Sequence, residues 1–284
     1  MTTRQALYLP VIIATAVLLV CAVALLAGSQ KAEATFRGQN GKVAYASYDG
    51  QDYEIYTINP GGSGRSQVTH NVTNDVEPSY SPDGHKITYA GYDGQDYEIY
   101  TINAGGGDKL QVTNNDKNNL SPSYSPSGEK RAYECYAGID TDICTISVRG
   151  GGKFNVTKND TDDFNPDYSP DGNRIAYEGF EGRIGENPSD DASTNIYTIK
   201  VGGGGEFNVT KSTKIGSIRN QWPSYSPDGN RIAYQGPDHE IHTIKVGGGG
   251  KSRVTKNDTP DHGLAWGNRH DEDDSEDAGN KDDD

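Results

Sequence analysis

The sequence is poor in most of what a helical or disulfide-built protein is made from. Its 284 residues include three cysteines, one methionine and two tryptophans, and only 32% are hydrophobic. Three cysteines are too few for a disulfide scaffold. Past residue 35 apolar residues almost never recur with a helical period, which excludes a helix bundle and leaves an all-β chain. Basic residues are also scarce, 26 against 41 acids, for a formal net charge of −15. Nine acids and Lys281 in residues 271 to 284 account for −8 of it, so the remaining body is mildly acidic. A phosphate backbone would be repelled, and nucleic acid is not an expected partner. No Gly-x-Ser-x-Gly elbow occurs and no cysteine has an evident histidine partner, so a catalytic nucleophile is missing.

What is present is tyrosine, glycine and repetition. The stretch Pro78-Ser79-Tyr80-Ser81-Pro82-Asp83-Gly84 has near copies at Pro122 to Gly128, Pro166 to Gly172 and Pro223 to Gly229. It reads as a strand end running into a tight turn. Proline presets φ, aspartate bonds back to the local backbone, and glycine takes positive φ. An alternating strand comes after each copy, such as Lys86-Ile87-Thr88-Tyr89-Ala90. The turn glycines Gly84, Gly128, Gly172 and Gly229 are 44, 44 and 57 residues apart, the signature of a repeat protein with loop insertions in one unit.

Each unit contains four strands, here a to d, which is one propeller blade. Five b strands can be counted, from Val43 to Ser47, Ile87 to Gly91, Arg131 to Cys135, Ile175 to Gly179 and Ile232 to Gly236. Only four a strands are obvious. The segment Leu264 to Asn268 aligns with Pro78 to Pro82 and places Trp266 at the tyrosine position. The spacing therefore predicts a five-bladed β-propeller of four-stranded blades over residues 36–269, closed by the C-terminal strand pairing into the first blade.

The flanks differ in composition. Tyr8 to Ala27 is an apolar run broken only by Pro10 and Thr15, long enough for one hydrophobic helix across a bilayer. Arg4 before it and Ala32-Glu33-Ala34 after it leave a cleaved signal peptide and an N-terminal membrane anchor both open for residues 1–35. Either would export the repeat region, with membrane contact confined to residues 8–27. Residues 270–284 read as an acidic disordered tail.

The corners, the Ile-Ala-Tyr strands and the segments Asp49 to Tyr56 and Asp93 to Tyr100 together resemble the TolB-type, WD-repeat-like β-propeller family, from about Asn40 to Asn268. The resemblance implies an exported, non-enzymatic binding module. The sequence departs from TolB in showing five units rather than six, and no α/β domain ahead of them is expected. It shows no hydrolase domain behind them either, unlike the peptidases with gating propellers. TolB's own partners are therefore not carried over.

Repeated positions supply the candidate sites. The residue three before each corner's first proline is Asp75, Asn119, Asp163 or Asn220, with Asp261 at the equivalent place before Leu264. In a closed ring these five would circle one mouth of the channel and could bind a ligand amine or, weakly, calcium; the plainer alternative is that each caps its own loop. Asp49-Gly50-Gln51-Asp52 and Asp93-Gly94-Gln95-Asp96 lack the ligand spacing of an EF-hand loop and read as turns. His239 and His242 are poorly spaced for a shared metal on one strand. Cys144 should face Tyr133 rather than Cys135, so a disulfide between the two cysteines needs a diagonal reach and is not favoured. Three Asn-Val-Thr sequons, at Asn71, Asn155 and Asn208, coincide largely with the repeat's own d strand.

These observations lead to an exported monomer that binds an envelope protein, peptide or glycan without a cofactor. The rival readings are a five-bladed glycosidase or lyase acting on polysaccharide, and a detached peptidase gate. Against the glycosidase, the a strands carry Ser and Tyr, with Asp167 expected as their one acid.

Overall fold

The structure is a computed structural model that describes residues 41–136, 138–181, 193–212 and 219–256. The N-terminal apolar run, the closing segment around Trp266, Asp261 and the acidic tail lie outside the described residues. Among the described residues there is no helix, and hence none long and apolar enough to cross a membrane.

Five antiparallel sheets succeed one another along the chain. The first holds β1 (Val43–Tyr48), β2 (Tyr53–Ile58) and β3 (Ser66–Gln67). The second runs β4 (Asp75–Tyr80), β5 (Lys86–Tyr92), β6 (Tyr97–Asn103) and β7 (Leu110–Gln111). The third runs β8 (Asn119–Tyr124), β9 (Lys130–Tyr136), β10 (Thr141–Ser147) and β11 (Phe154–Asn155). The fourth is β12 (Asp163–Tyr168), β13 (Arg174–Glu181), β14 (Ser193–Lys200) and β15 (Phe207–Asn208). The fifth is β16 (Gln221–Tyr225), β17 (Arg231–Gln235), β18 (Ile241–Lys245) and β19 (Ser252–Arg253). Within each sheet spatial order equals chain order, the meander of a propeller blade. The first sheet has three described strands, corresponding to b, c and d, and no a strand for it falls among the described residues.

Local chemistry makes each element. At the corner after β4, Ser81 N–H donates to the Lys86 carbonyl at 2.8 Å and Lys86 N–H donates back to Ser81 Oγ at 2.9 Å. Asp83 Oδ1 accepts from His85 N–H at 3.0 Å, while Gly84 adopts φ 71°. The short d strands are lengthened by a side chain. Thr69, Thr113, Thr157, Thr210 and Thr255 each accept through Oγ1 from the backbone N–H of Ile55, Ile99, Ile143, Ile196 and Ile241 at 2.7–3.0 Å. A hydroxyl thus completes the ladder where the strand ends.

The core lies between blades rather than within one. Ile55, Val68, Ile87 and Tyr89 pack between the first two sheets, and Ile99, Val112, Tyr133 and Ile146 between the next two. Ile143, Tyr168, Ile175 and Tyr177 join the third to the fourth, and Ile196, Val209, Tyr225 and Ile232 the fourth to the fifth. Burying each such side chain stabilises by roughly 1.5–3 kcal/mol, so blades are held by their neighbours.

The described cysteines correct one expectation. Cys144 does face Tyr133, yet Cys135 and Cys144 form a disulfide with Cα atoms 5.8 Å apart. The diagonal it spans is already used in other blades, where Tyr100 lies over Gly91 and Tyr197 over Gly179.

Candidate functional site

The a strands pack on one another from blade to blade, β4 on β8, β8 on β12 and β12 on β16, so their side chains approach the propeller axis. Each strand is interrupted where a residue precedes the corner's first proline. The register with the b strand shifts between Val76 and Ser79, Leu120 and Ser123, Phe164 and Asp167, and Gln221 and Ser224. Proline has no N–H to give the ladder, so the strand bulges there. The residue before each proline takes a left-handed conformation, with φ 54° at Glu77, 48° at Ser121, 51° at Asn165 and 51° at Trp222.

These four residues form one connected arc. Ser121 N–H donates to Glu77 Oε2 at 2.7 Å. Ser121 Oγ lies 3.2 Å from Asn165 Oδ1, and Asn165 Nδ2 donates to Glu178 Oε1 at 2.7 Å. Asn165 N–H donates to Glu134 Oε1 at 2.8 Å, and Trp222 N–H to Glu178 Oε1 at 2.5 Å. Two residues further along β12, Asp167 Oδ2 accepts from Tyr225 N–H at 2.7 Å. Every bond in the arc but one crosses between blades.

The arc is acidic, and burial governs its protonation. Desolvation pushes the carboxyls of Glu134, Asp167 and Glu178 up to about 7 despite the backbone bonds that each accepts. Glu77 is also raised by desolvation, although its side chain meets solvent. It is ringed by protein yet wetted, as a channel-lining group is. A cleft of about 470 Å³ runs alongside, from Asp96 and Lys117 past Leu120 and Phe164 to Glu134.

The described residues among the five singled out in the sequence fall elsewhere. Asp75, Asn119, Asp163 and Asn220 are at most 1% exposed, at or just before the start of each a strand. Asp75 Oδ2 accepts from Asn71 Nδ2 at 2.7 Å and Asp163 Oδ2 from Asn159 Nδ2 at 2.8 Å. Asn119 Nδ2 donates to Glu98 and to the Lys117 carbonyl, and Asn220 Nδ2 to the Thr194 carbonyl and Ser212 Oγ. Each is buried and bonded by its side chain to neighbouring segments, which agrees with the plainer reading of these residues as loop caps. The residues that meet across blades come two positions later in every blade. The expectation that Asp167 is the one acid of the a strands is also corrected. Glu77 lies inside β4, Asp75 and Asp163 begin β4 and β12, and the b strands contribute Glu134 and Glu178.

Other candidates resolve simply. His239 is a turn residue and His242 Nε2 pairs with Asp238 Oδ1 at 2.8 Å, so the two histidines share no ligand. The sequon amides are engaged in side-chain bonds, Asn71 with Asp75 Oδ2, Asn155 with Asp142 Oδ2 and, at the surface, Asn208 with Glu181 Oε1.

Known proteins share this architecture. The family model for the TolB beta propeller domain matches residues 13–134 and 95–271. The chain belongs to the TolB β-propeller family. A putative TolB from Agrobacterium tumefaciens superposes with a TM-score of 0.60 at 19% identity, covering 77% of this chain and 82% of that one. TolB from Acinetobacter baumannii superposes at 0.61 and 19% identity, covering 78% of this chain but only 54% of its own length. A chain of a nidogen/laminin complex superposes at 0.58 with 9% identity, covering 79% of this chain and 81% of that one. These similarities concern the fold. No curated protein sequence matches the chain.

Proposed function

We propose that this TolB-family propeller is an exported, non-enzymatic binding module that takes an envelope protein, peptide or glycan at the axial arc of Glu77, Ser121, Asn165 and Trp222. The observation that carries the reading is the left-handed backbone held at all four positions by residues other than glycine. Each such conformation costs on the order of 1–2 kcal/mol, and glycine would adopt it freely. Four different side chains are kept at that cost where they converge on the axis. They offer a carboxylate, a hydroxyl, an amide and an indole, a set suited to hydrogen bonding and stacking against an extended ligand. Export is supported by the apolar run at residues 8–27 and by the disulfide, which persists in an oxidising compartment.

The glycosidase or lyase reading is favoured by one observation, the carboxyls held at about 7 beside the channel, where a general acid operates at neutral pH. Glu134 and Glu178 are nevertheless buried, at 6% and 2% exposed, whereas Glu77 meets solvent, so they are poorly placed to reach a substrate.

Both readings are tested with the protein immobilised and exposed to envelope extract and to a glycan array, beside Trp222→Ala and Glu77→Gln variants. A ligand captured by the wild type and lost from both variants supports the binding module. Equal capture by all three rejects the arc as the site. Release of new reducing or unsaturated sugar ends from any captured glycan would instead make the protein an enzyme.

A further inference from the structure

Turn chemistry accounts for only half of the first b–c hairpin. Between β1 and β2, Asp49 Oδ1 accepts from Gln51 N–H at 2.8 Å and from Asp52 N–H at 3.2 Å, which closes the turn. Asp52 has no such task. It is 7% exposed, and neither of its carboxylate oxygens has a hydrogen-bond partner. A buried carboxylate with no donor, set beside two more, is a costly arrangement unless a cation completes it.

The distances suit one. An oxygen from each of Asp49, Asp52 and Glu54 lies within 4.8 Å of the other two. Oxygens sharing a calcium ion at about 2.3–2.6 Å from each are separated by at most roughly 5 Å. All three ligands are hard anionic oxygens with no nitrogen or sulfur among them, the donor set of calcium rather than zinc. Glu54 is held in place from behind, accepting from Asn71 N–H at 2.6 Å and from the Thr69 hydroxyl.

We propose that the b–c hairpin of the first blade is a calcium site in which Asp49, Asp52 and Glu54 supply carboxylate oxygens and water completes the coordination. The second blade has the same three residue types at Asp93, Asp96 and Glu98, and again both oxygens of Asp96 are buried and unpartnered, but among the described residues only the first-blade trio draws its oxygens within 4.8 Å of one another. With its three carboxylates less closely gathered, that hairpin is the weaker site of the two. The third blade keeps Asp140 and Asp142 but has Ala137 at the first ligand position, and is not a site. The proposal is independent of what the axial arc binds.

Terbium is the probe, because Tyr48 and Tyr53, with ring centroids 5.7 Å apart, flank the turn and can sensitise its luminescence. The full chain is titrated with terbium and then with competing calcium. Wild type should give a saturable signal that calcium displaces. Asp52→Asn should weaken calcium binding at least tenfold, and adding Asp96→Asn should remove the remaining tyrosine-sensitised signal. Asp49→Asn keeps an oxygen to close the turn while removing the charge, so it should also bind at least tenfold more weakly if Asp52→Asn folds poorly. Thermal melts give a second readout. In chelator Asp52→Asn should melt at or above wild type, and in millimolar calcium the order should reverse. Undiminished luminescence in both single variants, or the same calcium-induced shift in wild type and Asp52→Asn, would overturn the proposal.

Discussion

Blades two and three are 44 residues apart at every position, yet they fill one diagonal differently. In blade two Tyr100 lies across Gly91 and stacks on Tyr89 with ring centroids 5.7 Å apart. In blade three the same two places hold Cys135 and Cys144, joined covalently. The neighbour on the a strand changes with them. Asp75 crowds Gly91 so closely that a Cβ there would meet its Oδ1 at 2.7 Å, whereas uncharged Asn119 stands beside Cys135. Blade four returns to the first solution, with Gly179, Tyr197 and Asp163. A repeat therefore constrains the slot and the path across it, while its occupants change together.

The largest effect should come from emptying the slot. Replacing Cys135 and Cys144 by alanine removes a short covalent loop and should lower stability by about 2–4 kcal/mol in urea unfolding under oxidising conditions. The pair Cys135→Gly with Cys144→Tyr installs blade two's solution and should recover at least half of that. No recovery would mean that the two fillings are not equivalent.

The reverse intrusion should cost slightly less. In Gly179→Ala the new methyl would meet the Tyr197 ring at 2.8 Å and Asp163 Oδ1 at 3.3 Å. A loss of about 1–3 kcal/mol is expected, and a neutral result would show that Tyr197 swings aside freely.

The charge that accompanies glycine can be read by pH. Burial pushes Asp163 up to about 8, whereas an unfolded aspartate titrates near 4. Between those values the folded state binds more protons than the unfolded, so this group's contribution to stability declines as pH rises from about 4 through 8. Glu134, Asp167 and Glu178 act in the same direction up to about 7. Thermal melts in chelator should therefore show a higher Tm at pH 5.5 than at pH 8. Asp163→Asn, which copies the uncharged side chain of blade three, should raise Tm at pH 8 and leave it almost unchanged at pH 5.5. A Tm that rises with pH in the wild type would contradict the burial argument.

The smallest effect concerns the cover of the slot. Lys109 Nζ sits 4.2 Å from the centroid of Tyr100, while Lys153, its counterpart, faces a position where cysteine replaces the ring. Lys109→Ala should cost about 0.5–1 kcal/mol and Lys153→Ala less. Equal losses would show that the ammonium contributes through something other than the ring.

The same slot shows which features are legible in the chain and which are not. The corners and the five b strands are legible because Ser-Pro-Asp-Gly turn chemistry is local and recurs at a fixed period. The pairing of Cys144 with Tyr133 is legible too. The disulfide is not, because strand register gives directly opposed residues and leaves out the diagonal that Gly91 and Tyr100 use. The cross-blade arc is hidden for a related reason. Alternation tells which way a strand residue faces only while the strand is regular, and the bulge at Glu77-Pro78 resets it. The signal lies in the column Glu77, Ser121, Asn165 and Trp222, where the position before a proline present in all four copies changes chemistry in each. Asp52 is hidden differently, since a sequence shows that an aspartate sits in a turn but not whether its oxygens find donors.

The two-residue d strands have a consequence beyond the fold itself. β3, β7, β11, β15 and β19 are the outermost strands of their sheets, and each stops after two residues, when the following Val and Thr turn inward to bond the c strand. The threonine hydroxyl occupies the peptide donor that a longer strand would otherwise have paired. Among the described residues these outermost strands offer only a two-residue edge to a foreign strand. Among the described residues a long edge is therefore found not on the circumference but at β1, the six-residue first strand of the three-stranded sheet.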